Sequence, residues 1–158
     1  MGSDDLTEIL ARTLGQVLEE AAFVFGEATD DPPPLSGPVL QARLAYDGDH
    51  QGELVLAAPH ELAATLAANL LGEEEGGAAM TGDDADAVGE LLNMIAGSLL
   101  VELHGPEARC SLGLPRVALI PADQHERELA RADVAASLLE EEGRRIDLSA
   151  RFGARAAR

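Results

Sequence analysis

The stretch from Asp83 to about His104 constrains this chain more than any other, because its apolar residues recur at helical spacing throughout. At roughly 100° per residue, Val88, Leu92, Ile95, Leu99 and Leu103 form one stripe, while Glu90, Asn93, Gly97 and Val101 fall on the opposite side. A helix striped in this way must bury its apolar side against other elements, so the segment predicts a core helix with one face left over. That remaining face has an odd composition. Glu90 and Asn93 are neighbours three residues apart, Gly97 follows a turn later, and Met94, Leu100 and Val101 flank them with apolar groups. A merely solvated face would carry long charged side chains, and glycine inside a helix costs about 1 kcal/mol against alanine. The face therefore reads as a docking surface: a carboxylate and a carboxamide on a stiff element, beside a low point in the backbone.

Upstream, Leu6, Ile9, Leu10, Leu14, Val17, Leu18 and Ala21 recur at helical spacing from Asp4 to about Gly26, giving an N-terminal helical segment of about residues 1–28. The prolines Pro32, Pro33 and Pro34 end it. Val39 to Tyr46 and Gly52 to Ala58 read as a hairpin around Asp47-Gly48-Asp49. Pro59 then opens a helix to Leu71, with Leu62, Leu66, Ala67 and Leu70 inward and Gly72 as its stop. An acidic connection over 73–82 leads to the central helix, which Thr81 or Asp83 caps and whose positive end favours Asp83, Asp84 and Asp86. Cys110 to Ile120 reads as extended, and Val134 to Glu141 with Arg144 to Phe152 as a second hairpin before an Arg-rich tail, 153–158. About three helices and five or more strands, joined mainly as hairpins, predict one α+β domain over 1–158, with long helices packed against a mostly antiparallel β-sheet. Its core is Leu, Ala, Val and Ile, with Phe23, Phe25, Tyr46 and Phe152 as the few large pieces.

The charge narrows the partners. A formal net charge of −18, with all 11 basic side chains arginine, repels phosphate backbones and anionic membranes. Neither nucleic acid nor membrane insertion is expected, and a basic patch on another protein is the better match. The lone Cys110 excludes an internal disulfide. No basic region precedes an apolar core at the N-terminus, and no apolar run reaches bilayer length, so a cytoplasmic protein is expected.

The segment GELLNMIAGSLL at 89–100 resembles the CheX members of the CheC/CheX/FliY chemotaxis phosphatases, whose signature is a helical Glu-x-x-Asn followed by Met, a small pair and Gly. The matching residues are Glu90, Asn93, Met94, Ala96 and Gly97, and the order of elements agrees with the CheX pattern along nearly the whole chain. Ser98 departs from the asparagine often found after that glycine. The resemblance implies hydrolysis of the aspartyl phosphate of a phosphorylated CheY-type response regulator, in chemotaxis or a related two-component pathway. It implies that Asn93 and Glu90 are catalytic, that Asp86, Met94, Gly97 and Val101 contact the partner, and that two copies form a homodimer through sheet edges. The chain would need no cofactor of its own, since the Mg2+ would belong to the regulator. The first helix carries Glu8, Glu19 and Glu20, but Ala11, Ala22 and Phe23 stand three residues later, so one site per chain is expected.

The chemistry suits these residue types. A carboxamide both donates and accepts hydrogen bonds without adding negative charge, so it can place a water in line with an aspartyl phosphate. The rival reading is a non-catalytic response-regulator-binding or flagellar-switch-like module on the same fold. Other motifs carry less. Asp84-Ala85-Asp86 begins like a calcium loop, but the closing position holds Ile95. His50, His60, His104 and His125 are dispersed, without the pairing a helical zinc site uses, and Cys110 reads as a buried strand residue. There is no G-x-S-x-G elbow and no phosphate-binding P-loop.

Overall fold

The computed structural model describes residues 2–73 and 82–153. Among the described residues, four helices and seven strands lie in the order α1 (Ser3–Ala22), β1 (Gly26–Thr29), β2 (Pro38–Gly48), β3 (Gly52–Pro59), α2 (His60–Leu71), α3 (Gly82–His104), β4 (Cys110–Leu112), β5 (Arg116–Pro121), α4 (Ala122–Ala130), β6 (Val134–Glu140) and β7 (Arg145–Phe152). The fold is the α+β arrangement expected. The proposed cap Thr81, most of the acidic connection and residues 154–158 of the tail lie outside the described residues.

One antiparallel sheet carries the chain, ordered β1-β6-β7-β3-β2, with β4 and β5 pairing successive parts of the free side of β2. Strand alternation separates its two faces. Leu40, Ala42, Leu44, Leu54, Leu56, Ala136, Leu138, Ile146 and Leu148 point to one face and join Leu10, Leu14, Leu18, Leu62, Leu66, Leu92, Ile95 and Leu99 of α1, α2 and α3 in a single core. Their neighbours Gln41, Arg43, Ser137, Arg145, Asp147 and Ser149 point to the other face, where α4 lies.

Two departures from the sequence reading have clear physical causes. The first helix stops at Ala22 because Phe23 turns into the left-handed region at φ 54°, where its N–H and that of Val24 bond the Leu18 carbonyl. A bulky residue rarely adopts that conformation, so nothing in the sequence marks the stop. Beyond it the chain alternates as a strand, burying Val24 and turning Phe23 and Phe25 outward, 70% and 51% exposed. Those phenylalanines are not core pieces, whereas Tyr46 is. The second departure is α4, which follows Pro121 and was not anticipated. Its sequence ADQHERELA buries only His125, so it has no apolar period to detect.

By length and hydropathy α3 would pass for a membrane span, contrary to the expectation that no stretch is that long and apolar. Half of its most apolar window is buried inside the protein, where it packs against α1, α2 and the sheet, as a core helix does.

Candidate functional site

The orientation of α3 is fixed from both flanks. On one flank Gly89 meets the β4–β5 loop so closely that an added Cβ would lie 3.1 Å from the Pro115 side chain. On the other, the Glu102 carboxylate accepts a hydrogen bond from Arg12 of α1 at 3.3 Å. Val88, Leu92, Ile95 and Leu99 are buried between them, as their spacing requires, and Leu103 is partly buried.

The face left open carries all the residues expected there except one. Asp86, Glu90, Met94, Gly97 and Val101 are exposed and Asn93 is half-buried. Leu100 differs: it is 8% exposed and belongs to the core, so the apolar rim is Met94 and Val101 alone. Among the described residues, neither the Glu90 carboxylate nor the Asn93 carboxamide has a hydrogen-bonding or ionic partner. A Cβ added at Gly97 would meet nothing within 4 Å, so its cost to the helix is not repaid by packing within the chain. The site is a rigid ridge with two unspent polar groups and a patch of bare backbone one turn further on.

Two of the histidines dispersed in sequence meet in space. His50 and His104 stack with ring centroids 3.6 Å apart and planes within 4°. Burial, followed by the neighbouring His50, holds His104 below the ordinary imidazole range. Cys110, expected to be buried, is only partly so, and its thiol faces the His50 carbonyl at 3.7 Å. Among the described residues no three His, Cys, Asp or Glu side chains gather as a metal would require.

A second polar cluster, without a signature in the sequence, lies on the opposite sheet face. Asp147, 1% exposed, accepts hydrogen bonds from Ser137 Oγ at 2.6 Å and Arg145 Nε at 2.9 Å, and lies 2.8 Å from His125 Nε2. Gln41 Oε1 accepts from Arg43 Nε, so its Nε2 is the end that faces both Glu128, at 2.7 Å, and His125 Nδ1, at 3.4 Å. The Gln41 amide therefore points its N–H toward His125 Nδ1, and His125 Nε2 faces the Asp147 carboxylate. Arg145 also donates to Glu126 at 2.6 Å and to the Pro33 carbonyl at 2.9 Å. Burial raises the Asp147 carboxyl, but hydrogen bonds from His125, Arg145 and Ser137 outweigh it and hold the group below its usual range. With both imidazole nitrogens engaged, this cluster is a clamp for α4 and the segment before β2, and His125 is not placed to act as a base.

A sequence model of the family described as "Chemotaxis phosphatase CheX" matches residues 40–136, well over half of the chain and including all of α3. The chain belongs to this family. Solved CheX-family and related structures share its fold. CheX of Vibrio vulnificus is 17% identical with a TM-score of 0.70, over 96% of this chain and 99% of that one. The CheX of a CheX–CheY–BeF3–Mg2+ complex from Borrelia burgdorferi is 19% identical with a TM-score of 0.68, over 92% of this chain and 96% of that one. FliY of Thermotoga maritima is 16% identical with a TM-score of 0.64, over 96% of this chain and 89% of that one. No protein of curated function matches this CheX-family chain by sequence.

Proposed function

We propose that this chain is a hydrolase that removes the aspartyl phosphate of a CheY-type response regulator. The observation that carries the reading is the pair Glu90 and Asn93, unpartnered on one open face of α3 beside the bare backbone of Gly97, within the part of the chain that the family covers. Asn93 reaches into the regulator's site and positions the attacking water without acting as a base. Glu90, one turn back, pairs with a cationic regulator side chain, a lysine beside the phosphorylated aspartate, and so sets the register of docking. Exclusion of water at the docked interface strengthens that pair. Asp86, Met94, Gly97 and Val101 make the surrounding contact. Mg2+ stays with the regulator, and no site for it is assigned on this chain. The Borrelia burgdorferi complex supports the choice of partner. The reading extends to a cytoplasmic homodimer joined through sheet edges, where the β4–β5 side exposes Leu112 and Leu119.

Phosphate release from a phosphorylated CheY-type regulator, followed with and without this protein, tests the proposal. Asn93→Ala should lower the acceleration by about a hundredfold or more, the scale seen when one oriented polar group is lost from a transition state, while docking persists. Glu90→Ala should weaken docking itself. The rival reading is a module that holds the regulator without hydrolysing it. Binding without acceleration by the unmodified protein would favour that module and sink the hydrolase.

A further inference from the structure

Behind the sheet, on the face away from α3, a cavity of about 170 Å3 opens to solvent between the C-terminal end of α4 and strands β2, β3 and β7. Gln41 and His125 contribute to its lining, but the clamp already engages them. Arg131, Arg151 and Ser149 line it too, and among the described residues their side chains have no hydrogen-bonding or ionic partner. Ser149 is only 5% exposed, so its hydroxyl is a nearly buried polar group left facing the cavity. With 29 acidic residues against 11 arginines, a guanidinium on this chain ordinarily finds a carboxylate. Arg12, Arg43, Arg127, Arg144 and Arg145 all do. Two that do not stand at one cavity. Arg43 lies between Glu53 at 2.7 Å and Glu128 at 2.6 Å, so three arginines face two glutamates and the lining keeps a surplus positive charge.

From this arrangement we infer that the cavity binds a small oxyanion of the phosphate class. Donors arrive from a helix end and from a strand, which suits the diverging oxygens of a tetrahedral anion better than the single plane of a carboxylate. Guanidinium forks and a hydroxyl supply charge-assisted hydrogen bonds of the kind phosphate takes. The volume falls below the roughly 300–1,000 Å3 usual for drug-sized ligands, so the occupant is a free ion or a small phosphate monoester. This site is independent of the α3 face and of any activity there.

Calorimetric titration of the full chain at constant ionic strength tests the inference, with inorganic phosphate, glycerol 3-phosphate and acetate as probes. Saturable binding of one phosphate per chain is expected, with acetate much weaker. Tighter binding of glycerol 3-phosphate than of phosphate would identify a metabolite as the natural occupant, and equal binding the free ion. Arg131→Ala and Arg151→Ala should each weaken phosphate by at least about tenfold, the size of one charge-assisted hydrogen bond. Both side chains are exposed, so an unchanged unfolding midpoint should accompany the loss. Arg109→Ala, which removes an exposed arginine outside the cavity, should change nothing. Absence of saturable phosphate binding, equal binding of acetate, or binding that survives the double variant would each overturn the inference.

Discussion

The clamp around Asp147 and the open face of α3 treat polar side chains in opposite ways. On the clamp face, Asp147, His125, Gln41, Ser137 and Arg145 are all buried and each has a partner within the chain. On the α3 side, beyond the apolar core, Glu90 and Asn93 stand on a rigid helix with nothing to bond among the described residues. Buried polar groups must be satisfied, because desolvation without a partner costs far more than a hydrogen bond returns. Exposed ones can stay unspent for another molecule, so a satisfied cluster marks structure and an unsatisfied ridge marks function. The difference predicts that substitutions on the two faces will separate stability from activity.

The largest separation should come from Asp147 set against Asn93. Removing Asp147 leaves the Arg145 guanidinium short of one of its carboxylates in a site where Arg145 is 4% exposed. Breaking a buried pair from one side typically costs about 3–5 kcal/mol. Asp147→Ala should lose stability on that scale in denaturant titration, while Asn93→Ala stays within about 0.5 kcal/mol of the parent, as surface substitutions do. A mild Asp147→Ala would mean that α4 is not held by the clamp.

A smaller effect comes from acid. Because the folded chain holds the Asp147 carboxyl below its usual range, the unfolded chain takes up that proton first as pH falls. Its contribution is therefore complete above about pH 4, the ordinary aspartate value, and declines as pH falls from there toward the lower folded value. Glu128 and Glu140 run the same way: burial raises each, but hydrogen bonds and the charges of Arg43 and Arg144 respectively prevail and lower them. The stability gap between the parent and Asp147→Asn should be constant from pH 7 to 5 and narrow below pH 4. A gap that stays constant into strong acid would show that the carboxylate charge contributes nothing.

How legible each region was in the sequence follows from the same contrast. The α3 ridge was readable because a 3.6-residue period places every side chain, and Glu90, Asn93 and Gly97 violate what a solvated face would choose. The hairpins from β2 to β3 and from β6 to β7 were readable from alternation and turn residues. The clamp was not. Its members come from β2, α4, β6 and β7, far apart in sequence, and each alone looks like an ordinary exposed polar residue. Helix α4 is hidden for the same reason, since what holds it is a polar network around His125 and not an apolar stripe. The end of α1 was hidden because Phe23 supplies the left-handed turn that glycine normally would.

The smallest predicted effect concerns two glycines of α3 that look alike in sequence and differ in surroundings. Gly89 is buried, and a methyl there would press on Pro115, whose ring lies 3.1 Å from the added carbon. Gly97 faces open space, so Gly97→Ala removes the helix penalty of glycine at no steric cost and should stabilise the chain by about 1 kcal/mol. If a regulator approaches that backbone as proposed, the same methyl stands in the interface, and the apparent KM for the phosphorylated regulator should rise several-fold. A variant that is both more stable and less active would sharpen the contrast between the faces at a single carbon atom. Should Gly97→Ala gain stability and leave regulator binding untouched, Gly97 would have no part in docking, and the contact surface would contract to Glu90, Asn93 and the Met94 flank.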